Sequence, residues 1–181
     1  TISRAQGSMT FPANFLLVAA MNPCPCGYYG DNTRACTCSP TMITRYQGRL
    51  SGPLLDRIDL HVDVPRVEYD RLMSDEQAES SASVRQRVEN ARDHQRKRFE
   101  GRAGLYANAD MGVSEIQQLC YLSPEAKQVL EISTKRMQLS ARSYHRVIKL
   151  SRTIADLEDS RRIEVNHVAE SLQYRPRQQA N

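Results

Sequence analysis

Phe15-Leu-Leu-Val-Ala-Ala-Met21 is apolar at every position and ends on Asn22-Pro23, and this run limits the possible folds more than any other feature. A strand that alternates leaves one face in water, whereas one that is apolar throughout reads as buried on both faces of a parallel sheet. It is far too short to cross a bilayer. A parallel sheet needs several strands with crossovers between them. Only one later stretch reads as a strand: Ile58-Asp-Leu-His-Val-Asp-Val64 alternates and stops at Pro65. Upstream, two short alternating runs split by Gln6-Gly7 predict a β-hairpin over 1–11, ending near Pro12, with Arg4 close to its tip. From about Val67 the pattern is helical. The expected fold is therefore an α/β fragment, the back end of a sheet-containing domain, followed by an all-α bundle.

Composition excludes other classes. The 181 residues are 40% apolar and 25% charged, with a mean hydropathy of -0.59, which fits neither a disordered tail nor a membrane protein. Lys and Arg number 25 against 21 Asp and Glu, a net charge of +4. That balance permits a polyanionic partner without requiring one. The chain opens on Thr1 with no initiator Met or signal peptide, and it contains no G-x-x-x-x-G-K-[ST]. We expect a piece of something larger that carries no phosphate-cradling loop of its own.

In the helical half, residues 74–83 read as a polar linker. A basic helix follows, with Val84, Val88, Ala91 and Phe99 on one side. Its arginines alternate with Glu89, Asp93 and Glu100, so a solvated or interface face is favoured over a nucleic-acid footprint. Ser114-Glu-Ile-Gln117 reads as a capping box, Ser123-Pro124 opens a second helix, and Ser140 caps a third with a buried stripe at Tyr144, Val147, Ile148, Ser151, Ile154 and Ala155. The last helix, about 164–174, is expected to bury Val165, Val168, Ala169 and Leu172, and the residues after Tyr174 read as a loose tail. The domain boundaries that follow are 1–67 (the sheet fragment), 68–110 (linker and basic helix), 111–174 (helical domain) and 175–181 (tail).

Cys24-Pro-Cys26 and Cys36-Thr-Cys38 enclose a loop with Pro, Gly and Asn and almost no apolar residues to fold it. Four thiolates around a tetrahedral Zn²⁺ would organise such a loop, as a structural site with no open position for water. Two disulfides or four reduced thiols are the alternatives. Cys120, on an apolar helical face, reads as an ordinary buried residue.

Three further side chains stand out. Asn22, following the buried strand, can orient a water or touch a phosphate oxygen, or simply cap the turn with Pro23. Arg57, after a tight turn, can project outward and stabilise the charge of a transferring phosphoryl group, or pair with Asp56 or Asp59. Arg142 falls in the first turn of a helix, an unfavourable place for a cation unless an anion is near. The four histidines show no catalytic pattern.

Three blocks together resemble the magnesium-chelatase-like AAA+ ATPases, in the competence-protein branch typified by ComM and YifB. They are the segment from Phe15 through Cys24-Pro-Cys26 to Gly30, Ser51-Gly-Pro-Leu-Leu-Asp-Arg-Ile-Asp-Leu-His-Val62, and Leu139-Ser-Ala-Arg-Ser-Tyr-His-Arg146 with Arg152-Thr-Ile-Ala-Asp-Leu157. The resemblance implies that the first half is the end of an AAA+ sheet with a zinc-knuckle-like loop, and that the bundle is the AAA+ lid. It implies that Asn22 is sensor 1, Arg57 the arginine finger and Arg142 the sensor 2 arginine. The hairpin is similar to the pre-sensor 1 hairpin that faces a ring's pore, which makes Arg4 a candidate DNA contact. The family implies ATP with Mg²⁺ as cofactor, a hexameric ring, a cytoplasmic location, and DNA helicase activity in branch migration and natural transformation. Walker A and B segments are absent from this chain, so it is expected not to hydrolyse ATP alone. A stand-alone zinc-stabilised nucleic-acid or protein-binding module and a magnesium chelatase motor subunit are the competing expectations.

Overall fold

The structure is a computed structural model that describes residues 1–11, 15–65 and 78–176. The predicted change to helix near Val67 and residues 74–77 of the expected linker lie outside the described residues, while 81–83 of that linker belong to a helix, because the Ser80 hydroxyl caps it there. The chain divides into two compact units, Thr1–Arg49 and Leu50–Asn181.

In the first unit, β1 (Ile2–Arg4) and β2 (Gly7–Met9) form the expected antiparallel hairpin, with Ile2 opposite Met9 and Arg4 opposite Gly7. Ala5 and Gln6 make the turn. The strand expected over 15–22 does not form: these residues carry no secondary structure, and Leu16 and Val18 are 90% and 83% exposed. A strand exists only where neighbouring backbones supply its donors and acceptors. Among the described residues the two hairpin strands are the only paired ones, and they pair with each other. Helix α1 (Pro40–Gln47) begins with Pro40 in its first turn and the Ser39 hydroxyl accepting from the Met42 N–H. Cys24 is the only buried residue described in this unit.

The second unit has a conventional core. It contains α2 (Gly52–Leu55), α3 (Ser81–Arg98), a 3-10 turn at Asn108–Asp110, α4 (Val113–Leu119), α5 (Pro124–Arg136), α6 (Ala141–Leu157) and α7 (Val165–Gln173). Serines cap four of these helices: Ser51, Ser80, Ser123 and Ser140 each accept from the amide three residues on. Such caps satisfy donors that have no partner within the helix. The α4 cap differs from the sequence reading. The helix starts before Ser114, and the Glu115 carboxylate reaches back to the Gly112 N–H at 2.8 Å.

Met111, Leu130, Val147, Ala155, Ile163 and Val168 are the centre of the core, and the expected α6 stripe is buried or half-buried throughout. Two expected faces turn out otherwise. Val84 and Val88 are exposed, because the first half of α3 contributes nothing to the core and packing begins at Ala91 and Gln95. On α7, Val165 and Ala169 face outward while His167 and Ser171 are buried. His167 explains that rotation: its Nδ1 accepts from the Glu164 N–H and its Nε2 donates to Glu158, both at 2.9 Å. The strand expected over 58–64 is also absent, with Val62 and Val64 exposed.

A polar cluster lies within this core. Asp156 accepts from Arg98 at 2.5 and 2.7 Å, from Asn108 at 2.8 Å and from Arg152 at 3.1 Å. Arg152, 1% exposed, also donates to the carbonyls of Ser160 and Arg161. Burial lowers the Arg152 pKa. Burial alone would raise that of Asp156, but hydrogen bonds from Arg98 and Asn108 and the Arg152 charge bring it below the carboxylate norm.

Candidate functional site

The four clustered cysteines converge. Cys24 Sγ lies 3.4 Å from that of Cys26 and 3.7 Å from that of Cys36, with Cys26 and Cys36 3.6 Å apart. All four sulfurs lie within 4.8 Å of one another. A regular tetrahedron of Zn–S bonds of about 2.3 Å has edges of about 3.8 Å, so this spacing suits a metal. All four cysteines are free, so the disulfide alternative is not realised.

Local backbone geometry produces the convergence. The Gly27 N–H donates to the Cys24 carbonyl at 3.0 Å, and Gly27 sits at φ +86, so a tight turn puts Cys24 and Cys26 on the same side. The Asn22 side chain lies against this turn, where a Cβ on Gly27 would stand 3.9 Å from it. Gln47 on α1 donates to the Pro23 carbonyl at 2.9 Å and so ties that helix to the loop. Amides of Tyr28 and Thr37 draw the Cys26 thiol down to about 5. For Cys36, the Cys38 amide favours the thiolate, but burial and the Cys26 and Cys24 sulfurs outweigh it and push the thiol up to about 12. The sulfurs compete for negative charge, a conflict that a divalent cation at their centre relieves.

Arg57 is exposed, and its Nη1 donates to the Pro53 carbonyl at 2.7 Å. Neither neighbouring carboxylate pairs with it. Asp56 accepts from the Ser140 and Ser143 hydroxyls at the start of α6, both at 3.3 Å, and Asp59 pairs with Arg146. The anion that the first turn of α6 calls for is thus Asp56. Arg142, in that same turn, is exposed and has no ion pair among the described residues. The structure therefore brings Arg57 and Arg142 into one unit, with the Arg57 loop fixed to the helix end that carries Arg142. Asn22 and Arg4 belong to the other unit, and both are exposed.

Sequence reasoning missed the residues that hold this arrangement. Arg175, assigned to the tail, is 4% exposed. It donates to the Ser143 hydroxyl at 3.2 Å and to the Ile58 carbonyl at 3.4 Å, so the tail begins later than expected. The His61 N–H donates to the Tyr174 carbonyl at 2.9 Å. No periodic signal marks a lone arginine beyond a helix, whereas Asp56 and Asp59 were visible as carboxylates but assigned to the wrong arginine. Half of the six basic residues of α3 are ion-paired, Arg87 with Glu79, Arg96 with Asp93 and Arg98 with Asp156. Cys120 is buried as expected, and burial raises its pKa to about 11. Among the described residues no helix is long and apolar enough to cross a membrane.

Comparison with known proteins gives the family. Residues 78–175 match the family described as magnesium chelatase, subunit ChlI C-terminal, and residues 1–72 match magnesium chelatase, subunit ChlI. The chain belongs to this magnesium chelatase ChlI family. Among its relatives, a competence protein ComM from Haemophilus influenzae is 44% identical over 96% of this chain, and an uncharacterized protein YifB from Escherichia coli is 42% identical over 96%. An uncharacterized protein of Mycobacterium bovis is 34% identical over 96%. The chain spans about a third of the length of these relatives, 33% of the first two and 34% of the third.

Proposed function

We propose that this chain is the C-terminal part of a ring-forming AAA+ ATPase of the cytoplasm that couples ATP hydrolysis to movement on DNA, in branch migration during recombination and natural transformation. The observation that carries the reading is the pair of arginines. Arg57 is held on a clamped loop with no carboxylate partner among the described residues, beside a helix start bearing an equally unpaired Arg142. Two guanidiniums left unneutralised on a rigid support suit a polyanion supplied from elsewhere.

In this reading Arg57 is the arginine finger, placing positive charge against phosphoryl oxygens in a neighbouring subunit of a hexamer, and Arg142 is the sensor 2 arginine. Asn22 is sensor 1, and Arg4 on the hairpin meets DNA. ATP with Mg²⁺ is held mainly by Walker segments of the longer protein, and Cys24, Cys26, Cys36 and Cys38 hold a structural Zn²⁺. The extended relatives supply room for those segments, and the exposed apolar run 15–21 offers them backbone to pair with. In the longer protein Arg57→Ala is expected to abolish ATP hydrolysis while leaving ATP binding within about twofold, because the finger acts on transition-state charge. Loss of nucleotide affinity with turnover intact would refute the assignment, as would ATP turnover by the 181-residue chain alone.

The matched family's description supports a second reading, the motor subunit of a magnesium chelatase. Stimulation of the longer protein's ATP hydrolysis by DNA, with none by a porphyrin and chelatase partner subunits, decides for the first.

A further inference from the structure

Charge is divided unevenly between the two units. The first 49 residues carry Arg4, Arg34, Arg45 and Arg49 against one carboxylate, Asp31, a net of +3; the remaining 132 carry 21 basic and 20 acidic side chains, a net of +1. In the second unit, ion pairs engage Arg87, Arg96, Arg98, Lys135, Arg146 and Arg152. In the first unit two of the four guanidiniums stand against aromatic rings. The Arg34 guanidinium stands 4.1 Å from the Tyr28 ring centroid and donates to the Tyr28 hydroxyl at 2.7 Å. That of Arg49 stands 5.7 Å from the Tyr46 ring. Tyr29, next to Tyr28 in sequence, is exposed.

We propose that the cysteine loop and α1 form a surface for single-stranded nucleic acid, with Arg34 and Arg49 on phosphates and the exposed Tyr29 meeting unstacked bases. This deepens the DNA-acting reading above and rests on it for the partner. Planar guanidiniums bind phosphate in bidentate fashion and stack on bases, and exposed aromatic rings pair with any base that is free of a duplex. All four cations here are arginines. The Gln47–Pro23 hydrogen bond fixes α1, with Arg45 and Tyr46, to the loop that bears Tyr28 and Arg34. A tetrathiolate zinc centre carries two negative charges, which leaves this unit positive and every guanidinium outside the metal shell.

The test is fluorescence anisotropy of a labelled oligothymidylate of about 20 nucleotides with the 181-residue chain, titrated at several salt concentrations. The double variant Arg34→Ala, Arg49→Ala is expected to bind at least tenfold more weakly, with its log–log salt slope smaller by about 1.4, from two phosphates at about 0.7 each. Tyr29→Ala is expected to lose about tenfold, and Arg85→Ala, on the exposed side of α3, to change nothing. Because the alanine variants could disturb the loop, Arg34→Lys with Arg49→Lys is measured beside them and is expected to retain the parent salt slope. The proposal is overturned if the parent chain does not bind the oligonucleotide at about 50 mM salt, if the alanine double variant binds like the parent, if Arg85→Ala loses as much, or if a duplex of equal length binds as tightly. None of these outcomes touches DNA-stimulated ATP hydrolysis by the longer protein, which tests the parent reading separately.

Discussion

The two units reach order by different means. The helical unit buries a continuous apolar cluster around α6, with a fully hydrogen-bonded Asp156 inside it. The amino-terminal unit buries only Cys24 among its described residues and leaves Phe15, Leu16, Leu17 and Val18 in solvent. One carries its own hydrophobic driving force. The other depends on bonds that are not apolar, namely turns, a hairpin and four converging sulfurs. Chain length alone does not confer independent stability; the placement of apolar residues against one another does.

Removing metal should break this contrast most visibly. With zinc bound at one equivalent per chain by elemental analysis, a strong chelator is expected to abolish amide protection over the cysteine loop while protection in α6 persists. Structural zinc contributes about 10–16 kcal/mol in small metal-folded domains, more than this unit can supply otherwise. Equal protection in both units after chelation would contradict it.

In the helical unit the largest single effect is expected from Asp156→Ala. It leaves the buried guanidiniums of Arg98 and Arg152 without their carboxylate, a loss of about 3–5 kcal/mol in urea unfolding. The same group sets a pH dependence. Its native pKa is depressed below the usual 3.8, so its contribution is complete above that value and fades as pH falls through the lower native one. Urea midpoints of the parent chain measured from pH 5 downward should fall, and less so in Asp156→Asn.

Leu130→Ala is expected to cost about 2–5 kcal/mol, since the side chain is fully buried and its removal leaves a cavity. Ser140→Ala should cost about 1 kcal/mol through loss of the α6 cap. Val88→Ala, on the unpacked half of α3, should stay within about 0.5 kcal/mol. Thermal unfolding of the three variants would reveal any departure from that ranking.

Local signals were legible in the sequence. The hairpin turn, Ser123-Pro124 opening α5, Ser140 capping α6, the α6 stripe and the convergence of the four cysteines all follow from a few adjacent residues. The strands at 15–22 and 58–64 were misplaced because pairing depends on a neighbour, and a residue pattern states only a readiness to pair. Arg57 and Arg142 were identified, but their supports were not. Asp56 meets Ser140 and Arg175 meets Ile58 across 84 and 117 residues, and nothing local encodes so distant a partner.

The clasp between His61 and Tyr174 and between Ile58 and Arg175 ties the Arg57 segment to the end of α7 across space as well as along the backbone. A polypeptide nicked between the two is expected to stay joined through Asp56, Asp59 and Arg175. Two fragments, one bearing Arg57 and the other Arg142, are expected to reassociate through the same contacts, and their co-elution would measure how much the clasp holds.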